Sequence, residues 1–169
     1  MLELGRAGTA GTEKGTLPVL DGGARVATLR TAKVREAATA VVGGEEWLFT
    51  RTGRSTGGRR ATEPEGTERL AATQTSWWRG TWEVELDGTR LQMRTASAWR
   101  GTHRYLRDGR AVAESGFTGG WLRLPTLTVR EPMPLTAQVF LLWLELVLSR
   151  RNTAAIGGAT GAAVMGGIS

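Results

Sequence analysis

The sequence predicts a mainly β protein, a closed antiparallel β-barrel of about 12 strands around a hydrophobic C-terminal α-helix. Three observations predict it. Short apolar alternations recur along most of the chain, separated by turns rich in Gly and Asp-Gly. One hairpin unit repeats within that region. Near Pro134 the periodicity changes once, into a long segment that is apolar on nearly every side.

Residues 1–16 show no periodicity and are expected to form a flexible N-terminal segment; the barrel is expected over 17–151. Leu17–Leu20 leads through Asp21-Gly22-Gly23 into Val26–Arg30. Asp-Gly between apolar stretches marks a hairpin, because both central positions of the tight turn need positive φ. Ala38–Val42, Gly43-Gly44 and Glu46–Arg51 read as a second hairpin, with Trp47 and Phe49 alternating with polar or smaller neighbours. Gly53–Gly66 contains Gly53, Gly57, Gly58, Pro64 and Gly66 and is expected to be a loop. Arg69–Ser76 resumes as a strand.

Trp78–Arg94 and Trp99–Ser115 align at an offset of 21 residues. Both open on Trp-Arg-Gly-Thr and reach Asp-Gly nine residues later, pairing Trp78, Gly80, Asp87 and Gly88 with Trp99, Gly101, Asp108 and Gly109. This is one hairpin used twice. In the first copy Trp82, Val84 and Leu86 share a face and Glu83 and Glu85 the other, the alternation of a strand with one side buried. The second copy places His103 and Tyr105 where the first has Trp82 and Val84. Trp121–Leu124 and Leu127–Arg130 read as two final strands around Pro125.

Pro134–Arg151 reads as a helix that opens on proline and closes on two arginines. Leu135, Val139, Phe140, Leu142, Trp143, Leu146 and Val147 make it apolar all round, interrupted by Gln138 and Glu145. Such a helix belongs inside protein or membrane. The uncharged stretch before Glu145 is shorter than the roughly 20 residues of a span, so burial within the sheet is expected. There Glu145 needs a partner, and a strand arginine is the expected one. Asn152–Ser169 is Gly/Ala-rich and uncharged and is expected to be a flexible tail.

The composition excludes several chemistries. The 169 residues include no cysteine and one histidine, so disulfide scaffolds, thiolate metal sites and a thiol nucleophile are out, and neither a metal nor a cofactor is expected. The formal net charge is +6, which favours anionic partners. Met1–Gly15 has four charged side chains and no apolar run, so no secretory leader is read there and the cytoplasm is the expected compartment.

The Trp-x-Gly…Asp-Gly hairpins (Trp78 to Gly88 and Trp99 to Gly109), the many short strands and the hydrophobic C-terminal helix together resemble the tubby C-terminal-like superfamily. That superfamily includes the LURP-one-related and phospholipid-scramblase-like proteins. Over about Leu17 to Arg151 the resemblance implies a twelve-stranded antiparallel barrel around a central hydrophobic helix. It carries no catalytic signature. Tubby proteins bind phosphoinositides through basic surface residues and scramblase-like members associate with membranes. The lysine-rich motifs of tubby are absent here, so no lipid-binding residue is carried across.

Among candidate sites, Gly53-Arg54-Ser55-Thr56-Gly57 matches the G-x-S-x-G pattern, with Asp87 and His103 following in triad order. It lacks the strand–turn–helix setting of a nucleophile elbow, and a structural role is expected for His103. Asp21, Asp87 and Asp108 are explained by turn chemistry. Arg51, Arg54, Arg59 and Arg60 form the candidate anion- or lipid-binding run. The expected function is a non-enzymatic binding or scaffold module, with anionic phospholipid or another protein as partner and reversible membrane contact as one mode. Two alternatives stand beside it. One is a membrane protein tail-anchored by the 135–148 helix; the other is a nucleic-acid binder using its arginines and tryptophans.

Overall fold

The computed structural model describes the backbone of residues 1–33 and 35–162, and helix side chains as far as 155. Twelve strands run β1 (Leu2–Leu4), β2 (Thr16–Asp21), β3 (Ala24–Thr31), β4 (Ala37–Val42), β5 (Glu45–Thr52), β6 (Ser55–Arg60), β7 (Leu70–Ser76), β8 (Thr81–Leu86), β9 (Thr89–Ser97), β10 (Thr102–Arg107), β11 (Arg110–Phe117) and β12 (Pro125–Val129). One helix, α1 (Leu135–Ala162), follows. Each strand pairs antiparallel with its neighbours in sequence, and β1 pairs β12 (Leu2 opposite Leu127) to close the barrel.

Alternation puts one face of every strand inside. Trp82, Val84 and Leu86 of β8 are buried while Glu83 and Glu85 are exposed. The helix fills the interior, as the sequence predicts: Val139 to Leu144 are almost wholly buried, and Phe140 and Trp143 pack with Phe49 of β5 at ring-centroid distances of 5.3 and 5.4 Å. Leu142, Leu146 and Val147 are buried as well, and Leu135 partly. Gln138, one of the two polar interruptions, donates through Nε2 to the Met133 carbonyl at 2.8 Å.

With an even number of strands, β12 ends where β1 begins. That end holds the tight turns Gly22-Gly23, Gly43-Gly44, Asp87-Gly88 and Asp108-Gly109, all at positive φ. The helix enters there and leaves at the other end, the helix-exit rim. Twenty-eight helical residues span about 42 Å, whereas a six-residue strand spans about 20 Å. The helix therefore continues past the rim.

Several expectations are corrected. Leu2–Leu4, in the segment expected to be flexible, is the closing strand, with Leu2 and Leu4 in the core. Ser55–Arg60, expected to be loop, is β6. Its glycines answer to space and not to turning: a Cβ on Gly58 would lie 3.0 Å from the Phe49 ring and 3.2 Å from Leu70. Trp121–Leu124 is not a strand; Pro125 opens β12 instead of dividing two strands. The helix does not stop at Arg151, and the first part of the expected tail, through Ala162, is helical. The remainder, 163–169, lies outside the described residues.

Candidate functional site

Three polar groups meet inside the barrel. Glu145 is 1% exposed. Tyr105, pointing inward from β10, donates its hydroxyl to Glu145 Oε1 at 2.6 Å. His103, two residues earlier on the same face, sets Nδ1 at 2.9 and 3.1 Å from the two carboxylate oxygens. A carboxylate only accepts, so Nδ1 carries the proton. The partner of Glu145 is thus a histidine–tyrosine pair and not the expected arginine. His103 and Tyr105 both face Glu145 from the inner side of β10, so both carboxylate oxygens are hydrogen-bonded without an arginine. Burial raises the Tyr105 phenol well above its usual range, and the charge of Glu145 raises it further.

Beside this cluster the sheet opens. β10 and β11 pair from Arg107↔Arg110 to Arg104↔Glu114 and no further toward the rim. The His103 N–H is satisfied by Ser115 Oγ at 2.8 Å. The opening is a depression of about 570 Å³ whose walls include Arg100, His103, Phe117 and Arg123.

The triad pattern is not assembled. Ser55 begins β6 at the helix-exit rim and its hydroxyl lies 3.1 Å from Thr73 Oγ1. Asp87 is in a tight turn at the opposite end, and His103 faces Glu145.

The arginine run is divided between the two ends. Arg51 ends the inward face of β5, nearly buried, with its guanidinium 5.6 Å from the Trp82 ring centroid and 3.4 Å from Glu36. Burial lowers its pKa, and the charge of Arg151 lowers it further. Glu36 is also gripped by Arg151 through two bonds of 2.5 and 2.6 Å, which hold its carboxyl below the usual range. Arg54 is exposed in the β5–β6 turn. Arg59 and Arg60 lie at the other end, where Arg59 donates to the Glu63 carbonyl and Arg60 sits over Trp47, 3.4 Å from Glu45. The four make no common patch.

Trp77, Trp78 and Trp99 precede turns, which makes them candidates for the mouth of a barrel, and they do stand on the helix-exit rim; what sequence reasoning missed is Trp121, which it placed in a strand. The hexapeptides Ser76-Trp77-Trp78-Arg79-Gly80-Thr81 and Ser97-Ala98-Trp99-Arg100-Gly101-Thr102 build the same hairpin tip. In each, the serine hydroxyl accepts the arginine N–H at 3.2 Å and the glycine takes positive φ. This leaves Trp78 89% and Trp99 95% exposed. Trp77 stacks edge-on against Trp78, and Trp121, on the β11–β12 connection, is fully exposed. Arg123 of that connection donates to the Arg100 carbonyl at 3.0 Å and lies over Phe117, tying the third tip to the second.

Charge is polarised along the barrel in the same sense. Rim segments carry Lys33, Arg35, Arg54, Arg79, Arg100, Arg123, Arg150 and Arg151 against Glu36, and the β1–β2 connection adds Arg6, Lys14 and Glu13. The tight-turn end holds Asp21, Glu45, Glu46, Glu63, Glu65, Glu68, Asp87, Asp108 and Glu131. That end also carries Arg59, Arg60, Arg69, Arg90, Arg107, Arg110 and Arg130, so its charges nearly balance; Arg60, Arg69 and Arg107 pair with Glu45, Glu63 and Glu131.

Compared with known proteins, the chain matches no family model, no curated protein and no solved structure. Among the described residues no helix is long and apolar enough to cross a membrane. The segment 135–148, read as a tail anchor in one alternative, is instead packed inside the barrel.

Proposed function

We propose that this chain is a non-catalytic binding module, a tubby-like barrel that presents its helix-exit rim to an anionic partner. The observation that carries the reading is the charge asymmetry: the helix-exit rim has a large excess of basic side chains, while acids and arginines nearly balance at the other end. Such a field orients the molecule toward an anionic partner before contact. The twelve-stranded closed barrel with a hydrophobic helix through it is the architecture the tubby-like resemblance implies. The packed interior supports a role at the surface, since Glu145, His103 and Tyr105 satisfy one another.

The test is retention on an immobilised polyanion over a salt gradient. Wild type is expected to elute late and to lose affinity steeply with salt. Arg54→Gln/Arg79→Gln/Arg100→Gln is expected to elute much earlier, and Arg59→Gln/Arg60→Gln close to wild type. Equal losses from the two variants would overturn the assignment to the rim.

A further inference from the structure

We propose that the helix-exit rim is a membrane-docking face, and that Trp77, Trp78, Trp99 and Trp121 insert into the interfacial layer of an anionic bilayer. The proposal rests on the anionic-partner reading above and names the partner.

Large aromatic side chains are usually much buried, so an exposed cluster is informative in a way that an isolated one is not. Trp77, Trp78, Trp99 and Trp121 are 68 to 105% exposed, whereas Trp47, Trp82 and Trp143 are at most 5% exposed. The four exposed ones occupy successive tips of the rim: β7–β8, β9–β10 and β11–β12. Strands stand about 4.8 Å apart, so adjacent tips on one rim lie about 10 Å apart and the three together span about 20 Å. The three tips span about a third of the rim, and tips at one end of a barrel can meet a flat surface together.

Each tip pairs its tryptophan with a cation: Trp78 with Arg79, Trp99 with Arg100, Trp121 with Arg123. Tryptophan favours the headgroup level of a bilayer, where the ring is sheltered and the indole N–H stays solvated. An arginine beside it meets the anionic headgroups, each such contact giving about fivefold in affinity. Leu122, half exposed beside Trp121, gains from burial in acyl chains. The helix leaves through the same face, and from Asn152 onward the sequence carries no charged side chain.

A single-stranded nucleic acid would also use aromatics and arginines, but stacking platforms lie along a groove that tracks the backbone. Here the tryptophans stand on separate projecting tips, and an exposed Leu122 offers a base nothing to stack on.

The test uses the full chain with vesicles of phosphatidylcholine alone or mixed with phosphatidylserine, an anionic lipid of the cytoplasmic leaflet. Cosedimentation with the anionic vesicles is expected, together with a blue shift of tryptophan emission and quenching by brominated phosphatidylcholine. Trp77→Ser/Trp78→Ser/Trp99→Ser/Trp121→Ser should keep the near-ultraviolet signature of the core and lose at least tenfold in vesicle affinity. Trp99→Ser/Trp121→Ser, a milder change, should lose an intermediate amount. Binding to anionic vesicles without blue shift or quenching, and undiminished in the quadruple variant, would overturn insertion while leaving the anionic-partner reading intact. So would retention on the polyanion column, or binding to single-stranded RNA, without vesicle binding. A dimer in solution that the quadruple variant dissociates would assign the tips to self-association and overturn the proposal. Failure on both column and vesicles would remove both readings.

Discussion

Replacing Tyr105 with Phe deletes one hydroxyl from the middle of the barrel and is expected to cost about 2 to 3 kcal/mol of folding free energy. The figure follows from the geometry. Tyr105 is fully buried and Glu145 is 1% exposed, and the hydroxyl donates to Oε1 at 2.6 Å. A hydrogen bond to a charged group contributes about 1.5 to 3 kcal/mol, and its loss leaves a buried acceptor short of a donor. His103 remains on both oxygens, so the carboxylate is not orphaned and the loss stays below the roughly 3 to 5 kcal/mol of a broken buried pair. For a domain of this size that corresponds to a fall in Tm on the order of 5 to 10 °C. Urea unfolding followed by tryptophan emission and far-ultraviolet dichroism gives the number. Glu145→Leu supplies the cross-check. In the Glu145→Leu background the same Tyr105→Phe change removes no charged acceptor's partner, so its cost should shrink by about 1 to 3 kcal/mol. Additivity within about 0.5 kcal/mol, or a Tyr105→Phe protein as stable as wild type, would refute the account of how Glu145 is accommodated.

Tyr105 is the only tyrosine in the chain, so tyrosinate absorbance at 295 nm reports on it alone. Its folded pKa is raised; stability is therefore intact below the ordinary tyrosine range near 10 and declines as pH rises through that value toward the folded one. No tyrosinate should form before the barrel unfolds in an alkaline titration, and a smooth titration near 10 in folded protein would contradict the burial. Gly58→Ala should destabilise by about 1 to 3 kcal/mol through overpacking against Phe49 and Leu70. Gly57→Ala should be milder, because the added Cβ meets only the flexible Glu68 side chain; chemical denaturation of the two variants decides the order. Trp143→Ala should cost about 3 to 5 kcal/mol and Leu142→Asp should abolish folding, whereas a cooperatively melting Leu142→Asp protein would deny the helix its place in the core.

Where the sequence was legible, a local rule and the tertiary structure agreed. Asp87-Gly88 and Asp108-Gly109 are turns because those dipeptides tolerate positive φ, and they have it. The 135–148 segment is interior because no face of it suits water. The misses are non-local. Gly57 and Gly58 carry a turn's composition, yet Gly58 is required by a phenylalanine on the neighbouring strand. Leu2–Leu4 is too short to show a period, and its partner β12 is most of the chain away. Reading arginines as a linear run failed for a related reason: a tight hairpin deals Arg51 and Arg54 to one end of the barrel and Arg59 and Arg60 to the other. Trp77, Trp78 and Trp99 were legible as rim residues because they precede turns, and the repeat shows why they share one rim. An offset of 21 residues is one trip down and up the barrel, so Trp78 and Trp99 return to the same end, and Trp121, 22 residues further, does too.

The parity of the strands then ties the rim to the core. A helix about 10 to 12 Å across with its side chains fills the lumen, and it can enter only where β12 ends. Twelve strands put that point beside the start of β1, at the tight-turn end. The helix must therefore exit among the β7–β8, β9–β10 and β11–β12 tips that carry the exposed tryptophans. At the exit Arg151 fastens the helix to Glu36 of the β3–β4 connection, across the rim from the β9–β10 tip. Glu145 lies six residues before Arg151 on the same helix, held by His103 at the rim end of β10. The buried polar cluster thus fixes the depth and rotation of the helix close to the surface where it emerges. On this view the interior carboxylate has a positional role. A leucine at 145 could fill the same space, but it would not specify which turn of the helix sits opposite β10, and a slip of one turn would move Arg151 about 5.4 Å from Glu36.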